Sequence, residues 1–267
     1  MIENNFREEK FNRYQKEFLI ENCNYSKKET IFLSFDIDWA PDFMLETIAN
    51  LVSGLDVSFM HTHKSKISSQ IAQEFPSGIH PNILKNSDQG STLDEVIHFF
   101  KKLKINFDTC RFHRLHYGYS DLKILSQHGV QLDSSTILFN GKNIIPNYHY
   151  DIDIILAPYF WEDGINITSK KFLKTNFIDW ETKGLKIFDF HPVDIYLNTS
   201  SIGQKELFKS RFINPLESNK KSVDDLINKN DFGTLNILKD ILKKHINGEI
   251  EIKSLLTLNK EFRNSML

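Results

Sequence analysis

Six residues carry most of the chemistry open to this chain: Asp36, Asp38, His63, His80, His113 and His191. Each stands at the end of a short apolar run. If those runs are strands lying parallel in one sheet, all six side chains reach one rim. Acids and imidazoles gathered there make a divalent-metal site with an acid and a base beside it, which points to hydrolysis. In Phe35-Asp36-Ile37-Asp38-Trp39 the two carboxylates are two positions apart and share one face of an extended strand. Like charges that close do not both stay ionised cheaply without a cation, so a metal on one leaves the other free as a base. The competing reading is a pair of capping or loop aspartates at a strand end.

His61-Thr62-His63 closes the second run, and alternation places both imidazoles on one face. H-x-H is a common metal-ligand spacing, although two surface histidines give the same pattern. His80, in Gly78-Ile79-His80-Pro81-Asn82, ends a strand, a better position for a ligand than mid-helix. Arg111 and His113 share a face, and the guanidinium could bind a carboxylate, either a substrate's or that of the aspartate base. His191, between Phe190 and Pro192, could protonate a leaving group. Asp189 could instead make it a packing and hydrogen-bonding residue. His98, His128, His149 and His245 read as structural. Of the ten histidines, five (61, 63, 80, 113 and 191) fall at strand carboxyl ends, a bias that core packing does not explain. The sequence has no phosphate-cradling glycine loop and no G-x-S-x-G elbow, which argues against kinase-like and serine-hydrolase chemistry.

The elements that must position these residues follow from patterning. With 267 residues the chain can bury one large domain or two small ones, and 40% hydrophobic with 25% charged residues is ordinary for a globular protein. A net charge of −2 without a basic, aromatic-interleaved stripe argues against nucleic acid as a partner. Cys23 and Cys110 stand far apart and suggest no disulfide. The charged start is unlike a secretory signal, and no apolar run approaches the ~20 residues that span a bilayer, so a cytoplasmic protein is expected. Residues 1–27 read as a helical extension with Phe11, Tyr14, Phe18 and Leu19 on one face. Strand and helix then alternate. ETIFLSFDID, LDVSFMHTH, FPSGIHPN, FDTCRFH, VQLDSS, DIDIILAPYFW and GLKIFDFHPVDIYL read as seven strands. Helices open at Pro41-Asp42, over 65–74, at the Thr92/Glu95 capping-box spacing and at Tyr119. The pattern predicts an α/β fold, a distorted or incomplete (β/α) barrel of about seven parallel strands over 28–200, with a doubly wound sheet as the alternative. Residues 140–150 and 162–180 read as loops covering a site, and 201–267 as a helical extension packed on the same domain.

At these residues the chain resembles the polysaccharide deacetylases, the NodB-homology carbohydrate esterases, from about Thr30 to Asn198. SFDID looks like the family's opening aspartate motif, GIHPN like the start of its histidine motif, and CRFH and FDFHP fall where its arginine and last histidine motifs lie. The resemblance implies a distorted barrel and removal of N- or O-acetyl groups with a divalent metal, zinc foremost and cobalt, manganese or nickel as alternatives. It implies Asp36 as general base, Asp38 and His80 as metal ligands, Arg111 as the group orienting the base, and His191 as general acid. Trp161, in APYFWEDG, would line the substrate. The phrases MHTHKS, GIHPN, PYFWED and FHPVDIYLN are similar to the WbmS group from surface-polysaccharide gene clusters. That implies a carbohydrate substrate and a sugar-modifying role in building a surface glycan, and the charged start, unlike a secretory signal, suggests a nucleotide- or lipid-linked precursor as the substrate. Leu84 stands where the family has its second histidine, so the third ligand must come from elsewhere, and His63 and His113 are the candidates. An amidohydrolase or PHP-type hydrolase led by His61 and His63, and a sugar-binding relative without turnover, are the alternatives.

Overall fold

The computed structural model describes residues 29–105, 108–168 and 178–265. The extension expected over residues 1–27 lies outside them. The apolar run at the start of the described chain forms strand β1, Glu29–Asp36, whose last six residues are all buried. It is followed by β2 (Ser58–His61), β3 (Ser77–Ile79), β4 (Thr109–Cys110), β5 (Leu132–Asp133), β6 (Asn147–His149), β7 (Ile154–Leu156), β8 (Trp161–Glu162), β9 (Ile187–Phe190) and β10 (Ile250–Lys253). The sheet runs β6-β7-β5-β4-β3-β2-β1-β9-β8, with β10 also on β1. Every pairing is parallel except β6 with β7. It curls into a half-barrel flanked by helices, the distorted barrel that the strand count predicts.

Two runs expected to be single strands divide. DIDIILAPYFW breaks at Pro158 into β7, next to last at one end of the sheet path, and β8, the last strand at the other. A proline has no N–H for a central ladder, so the strand ends there. GLKIFDFHPVDIYL is strand only as far as Phe190. Pro192 then starts a short helix, its fixed φ suiting a first helical position. The region after residue 200, expected to be helical, also supplies β10, which fills the half of the β1 edge that β2 leaves open: Glu29–Phe32 face β10 and Ser34–Asp36 face β2.

Helices α1 (Asp42–Leu51), α2 (Lys66–Glu74), α3 (Leu93–Leu103) and α4 (Tyr119–Gln127) follow successive strands. The Thr92–Glu95 capping box is formed, each side chain bonding the other residue's backbone N–H. Then come α5 (Asp163–Thr168), α6 (Pro192–Tyr196), α7 (Ile202–Arg211), α8 (Lys220–Val223), α9 (Thr234–Ile246) and α10 (Leu255–Ser265). Among the described residues no helix is long and apolar enough to cross a membrane.

Alternation along the strands sorts side chains into two layers. Phe35 stacks on Phe59 at 5.0 Å and lies 6.3 Å from Phe190. Ser34, Asp36 and Asp189 form the other layer and meet the Arg111 guanidinium. The sheet therefore has an apolar layer under its helices and a polar one that converges on a single rim. At β3 the strands come too close for a side chain: a Cβ on Gly78 would meet Thr109 Oγ1 at 2.2 Å and the Thr109 carbonyl at 2.6 Å.

Candidate metal centre and acid–base site

Asp38 follows β1, His80 follows β3 and His113 follows β4, so three neighbouring strand ends deliver one side chain each. His113 Nδ1 lies 2.8 Å from Asp38 Oδ2, His80 Nε2 lies 3.4 Å from the same oxygen, and the two ring nitrogens are 3.2 Å apart. Asp38 and His80 are buried, and the His113 side chain is 11% exposed. Ligand atoms each ~2.0–2.2 Å from one ion stand about 3.0–3.5 Å from one another, so these three fit a divalent metal. One carboxylate with two imidazoles is also a donor set suited to zinc or a related ion. Burial opposes the negative charge on Asp38, but His80 and His113 hold its carboxyl well below the usual range. Burial likewise opposes charge on His80, yet Asp36 and Asp38 raise its pKa.

Asp36 sits beside this cluster. Arg111 Nη1 donates to Asp36 Oδ1 at 2.9 Å and to Asp189 Oδ1 at 2.5 Å. Arg111 Nε donates to the Ser134 carbonyl at 2.9 Å, and the guanidinium carbon lies 4.7 Å above the Tyr159 ring. Arg111 is only 1% exposed, so it serves the aspartates of the protein rather than a substrate. Burial pushes Asp189 well above the carboxylate range, with Arg111 opposing and Asp36 adding to the rise. Among the described residues Asp36 Oδ2 accepts no hydrogen bond, and it is ion-paired with His80 Nδ1 at 3.4 Å.

His191 completes the rim. An Asp36 oxygen, an Asp189 oxygen and a His191 ring nitrogen all lie within 4.8 Å of one another. Asp163 Oδ1 bonds His191 Nδ1 at 2.7 Å, and Asp163 Oδ2 accepts from the His191 backbone N–H at 2.7 Å. Burial disfavours the imidazolium, but Asp163, by charge and hydrogen bond, outweighs it and holds the pKa well above the usual value. The groups Asp36–Asp189–His191 and Glu162–Asp163–His191 also cluster like metal ligands. The Arg111 cation already occupies the first, and Asp163 holds Nδ1 of His191, which leaves Asp38–His80–His113 as the set suited to a cation.

Two expected site residues lie elsewhere. Trp161 is fully buried, 4.9 Å from Phe190 and 5.9 Å from Phe188. It pairs in register with Phe188, whereas Glu162 pairs with Asp189, so Glu162 and not Trp161 shares the polar layer. His63 stays outside the three-residue cluster. Its Nδ1 meets Thr62 Oγ1 at 2.8 Å, and β2 ends at His61, so the alternation that would align the two histidines does not continue. His61 is structural: its ring nitrogens lie 2.9 Å from Ser68 Oγ and 3.0 Å from Ser77 Oγ. Asp163 and Ser134 were not legible as site residues. Asp163 stands in an acidic pair directly after an aromatic run, a signal that a buried strand end had turned toward a polar centre.

A curled, mostly parallel half-barrel with acids and imidazoles on its carboxyl rim is the architecture of the NodB-homology deacetylases. Residues 33–209 match the family model of WbmS-like polysaccharide deacetylases, and the chain belongs to that family. A structure from Bordetella bronchiseptica, of a polysaccharide deacetylase involved in O-antigen biosynthesis, is 25% identical, with a TM-score of 0.68 over 80% of this chain and 90% of that one. A polysaccharide deacetylase structure from Mycobacterium smegmatis shares the fold alone, at 10% identity and TM-score 0.51 over 91% of this chain and 93% of that one. No curated protein sequence matches.

Proposed function

We propose that this protein is a metal-dependent deacetylase that removes an acetyl group from a carbohydrate during assembly of a surface glycan of the O-antigen type. Asp38, His80 and His113 hold the divalent cation, zinc foremost. The convergence of their three ligand atoms within 3.4 Å, with Asp36 and His191 alongside, is the observation that carries the reading. A divalent cation bound there supplies Lewis-acid activation of a water and of the acyl carbonyl. Asp36 accepts the water proton on Oδ2, because Oδ1 is engaged by Arg111. Arg111 also fixes that carboxylate against rotation. Water adds to the acyl carbon and the C–N or C–O bond to the sugar breaks. His191, whose Nδ1 is held by Asp163, donates a proton from Nε2 to the departing nitrogen or oxygen, and acetate is released.

The test is acetate release from N- and O-acetylated sugars, nucleotide-linked sugars and glycans. Asp36→Asn should lower turnover ~10²–10⁴-fold, the range of general acid–base help, while bound metal stays stoichiometric. A variant releasing acetate at the wild-type rate would remove Asp36 from its role.

A further inference from the structure

The His63 segment, which the metal cluster leaves out, borders a second feature. Between α2 and the end of α3 lies a cavity of about 250 Å³. Its wall includes His63, Lys64, Ser69, Lys102 and Lys104, and among the described residues no carboxylate lines it. Lys64, Lys102 and Lys104 are exposed, and among the described residues none of the three is ion-paired. His63 is the buried member, 8% exposed, with Nδ1 against Thr62 Oγ1 and Nε2 without a hydrogen-bond partner. A buried polar atom left unpaired costs on the order of 1–3 kcal/mol, so His63 Nε2 calls for a partner. Burial lowers the His63 pKa against the opposing pull of Asp38, Asp42 and Asp88, which leaves the ring neutral and able to donate through Nε2 when Nδ1 accepts from the Thr62 hydroxyl.

We propose that this cavity binds a diphosphate group through the ammoniums of Lys64, Lys102 and Lys104 and the Nε2–H of His63. Three cations with no ion-pair partner among the described residues supply the charge, and the acids that act on His63 by charge, Asp38, Asp42 and Asp88, stand outside the lining; His63 supplies the fixed donor that makes the cavity a site rather than a basic patch. On the deacetylase reading, on which this step alone rests, the group is the diphosphate of an activated sugar. His63 stands two residues beyond β2, next to the strand carrying Asp36, so the sugar would be held toward the rim. Two carriers present that chemistry, a nucleoside diphosphate and a prenyl diphosphate.

Calorimetry with pyrophosphate, UDP and farnesyl diphosphate on the full chain tests this. The proposal expects pyrophosphate to bind and Lys102→Ala/Lys104→Ala to weaken it at least tenfold, with affinity falling as salt rises. His63→Phe, which keeps a ring but no Nε2, should weaken it several-fold. His80→Ala, which removes a residue of the metal cluster, should leave it intact, so the result stands whether or not the protein releases acetate. UDP or farnesyl diphosphate binding more tightly than pyrophosphate, with the same loss in the lysine variant, supports the proposal and names the carrier. No binding of any of the three, binding unchanged in the lysine variant, or binding lost only in His80→Ala overturns it.

Discussion

Asp36 and Asp189 both receive a hydrogen bond from Nη1 of Arg111, at 2.9 and 2.5 Å, and this shared donor explains why two acids coexist in a buried layer. An unpaired carboxylate there would lose more in desolvation than any other contact returns. Asp163 gives His191 a corresponding partner, and its influence has a definite sign. The imidazolium is stabilised, so His191 keeps its proton as pH rises past the ordinary histidine range and loses it only at the raised pKa. Turnover that needs that proton should persist on the alkaline side and fall through the same pKa. Asp163→Asn removes the charge and should move the alkaline limb of the kcat profile to lower pH. A limb that stays in place would show that Asp163 does not govern the acid.

At the scale of elements, the candidate ligands are set by strand ends and by the turns directly after them. Trp39 follows Asp38 with φ 53°, and Arg114 and Leu115 follow His113 with φ 53° and 55°. Bulky residues rarely adopt this left-handed conformation, and three of them immediately after two candidate ligands indicate turns held by the site. The strand–helix alternation was legible because β1, β2 and β9 are short, mostly apolar runs and their helices carry a 3.6-residue stripe. Asp36, Asp38, His80 and Arg111 were legible for the same reason, as polar residues ending apolar runs. That His113 and not His63 lies beside Asp38 and His80 was not, because it depends on β2 ending at His61, which neither residue's type reveals. The burial of Trp161 among aromatics was not legible, because alternation places the aromatic and the acid of Trp161-Glu162 on opposite faces and periodicity alone does not say which face is polar. Gly78 tests the close approach of β3 to β4. Gly78→Ala should destabilise the fold by about 1–3 kcal/mol, as overpacking does, seen as a lower urea midpoint. An unchanged midpoint would mean that the strands can separate freely.

For the whole molecule, the C-terminal region is part of the sheet. β10 pairs with β1, and the Leu255 N–H donates to Ser58 Oγ at 2.9 Å. Ile250, Ile252, Leu255, Leu258 and Phe262 are all buried, at 5% exposure or less. Each such side chain contributes roughly 1.5–3 kcal/mol, so together they match the ~5–15 kcal/mol by which a typical domain is stable. Removing residues 249–267 should therefore give a chain without a cooperative urea transition. A truncated protein that unfolds cooperatively would make this region an appendage. The composition of the segment, helical and polar by pattern, concealed β10: Ile-Glu-Ile-Lys is four residues long and alternates, a signal too short to outweigh the helices around it.

The central claim is that Asp38, His80 and His113 form the metal centre. The most direct measurement is anomalous X-ray diffraction at the zinc edge from crystals of the full chain grown with zinc. The account predicts one strong peak bonded to Asp38 Oδ2, His80 Nε2 and His113 Nδ1. A peak at Asp36–Asp189–His191 or Glu162–Asp163–His191, a peak ligated by His63, or no peak at the rim would contradict it.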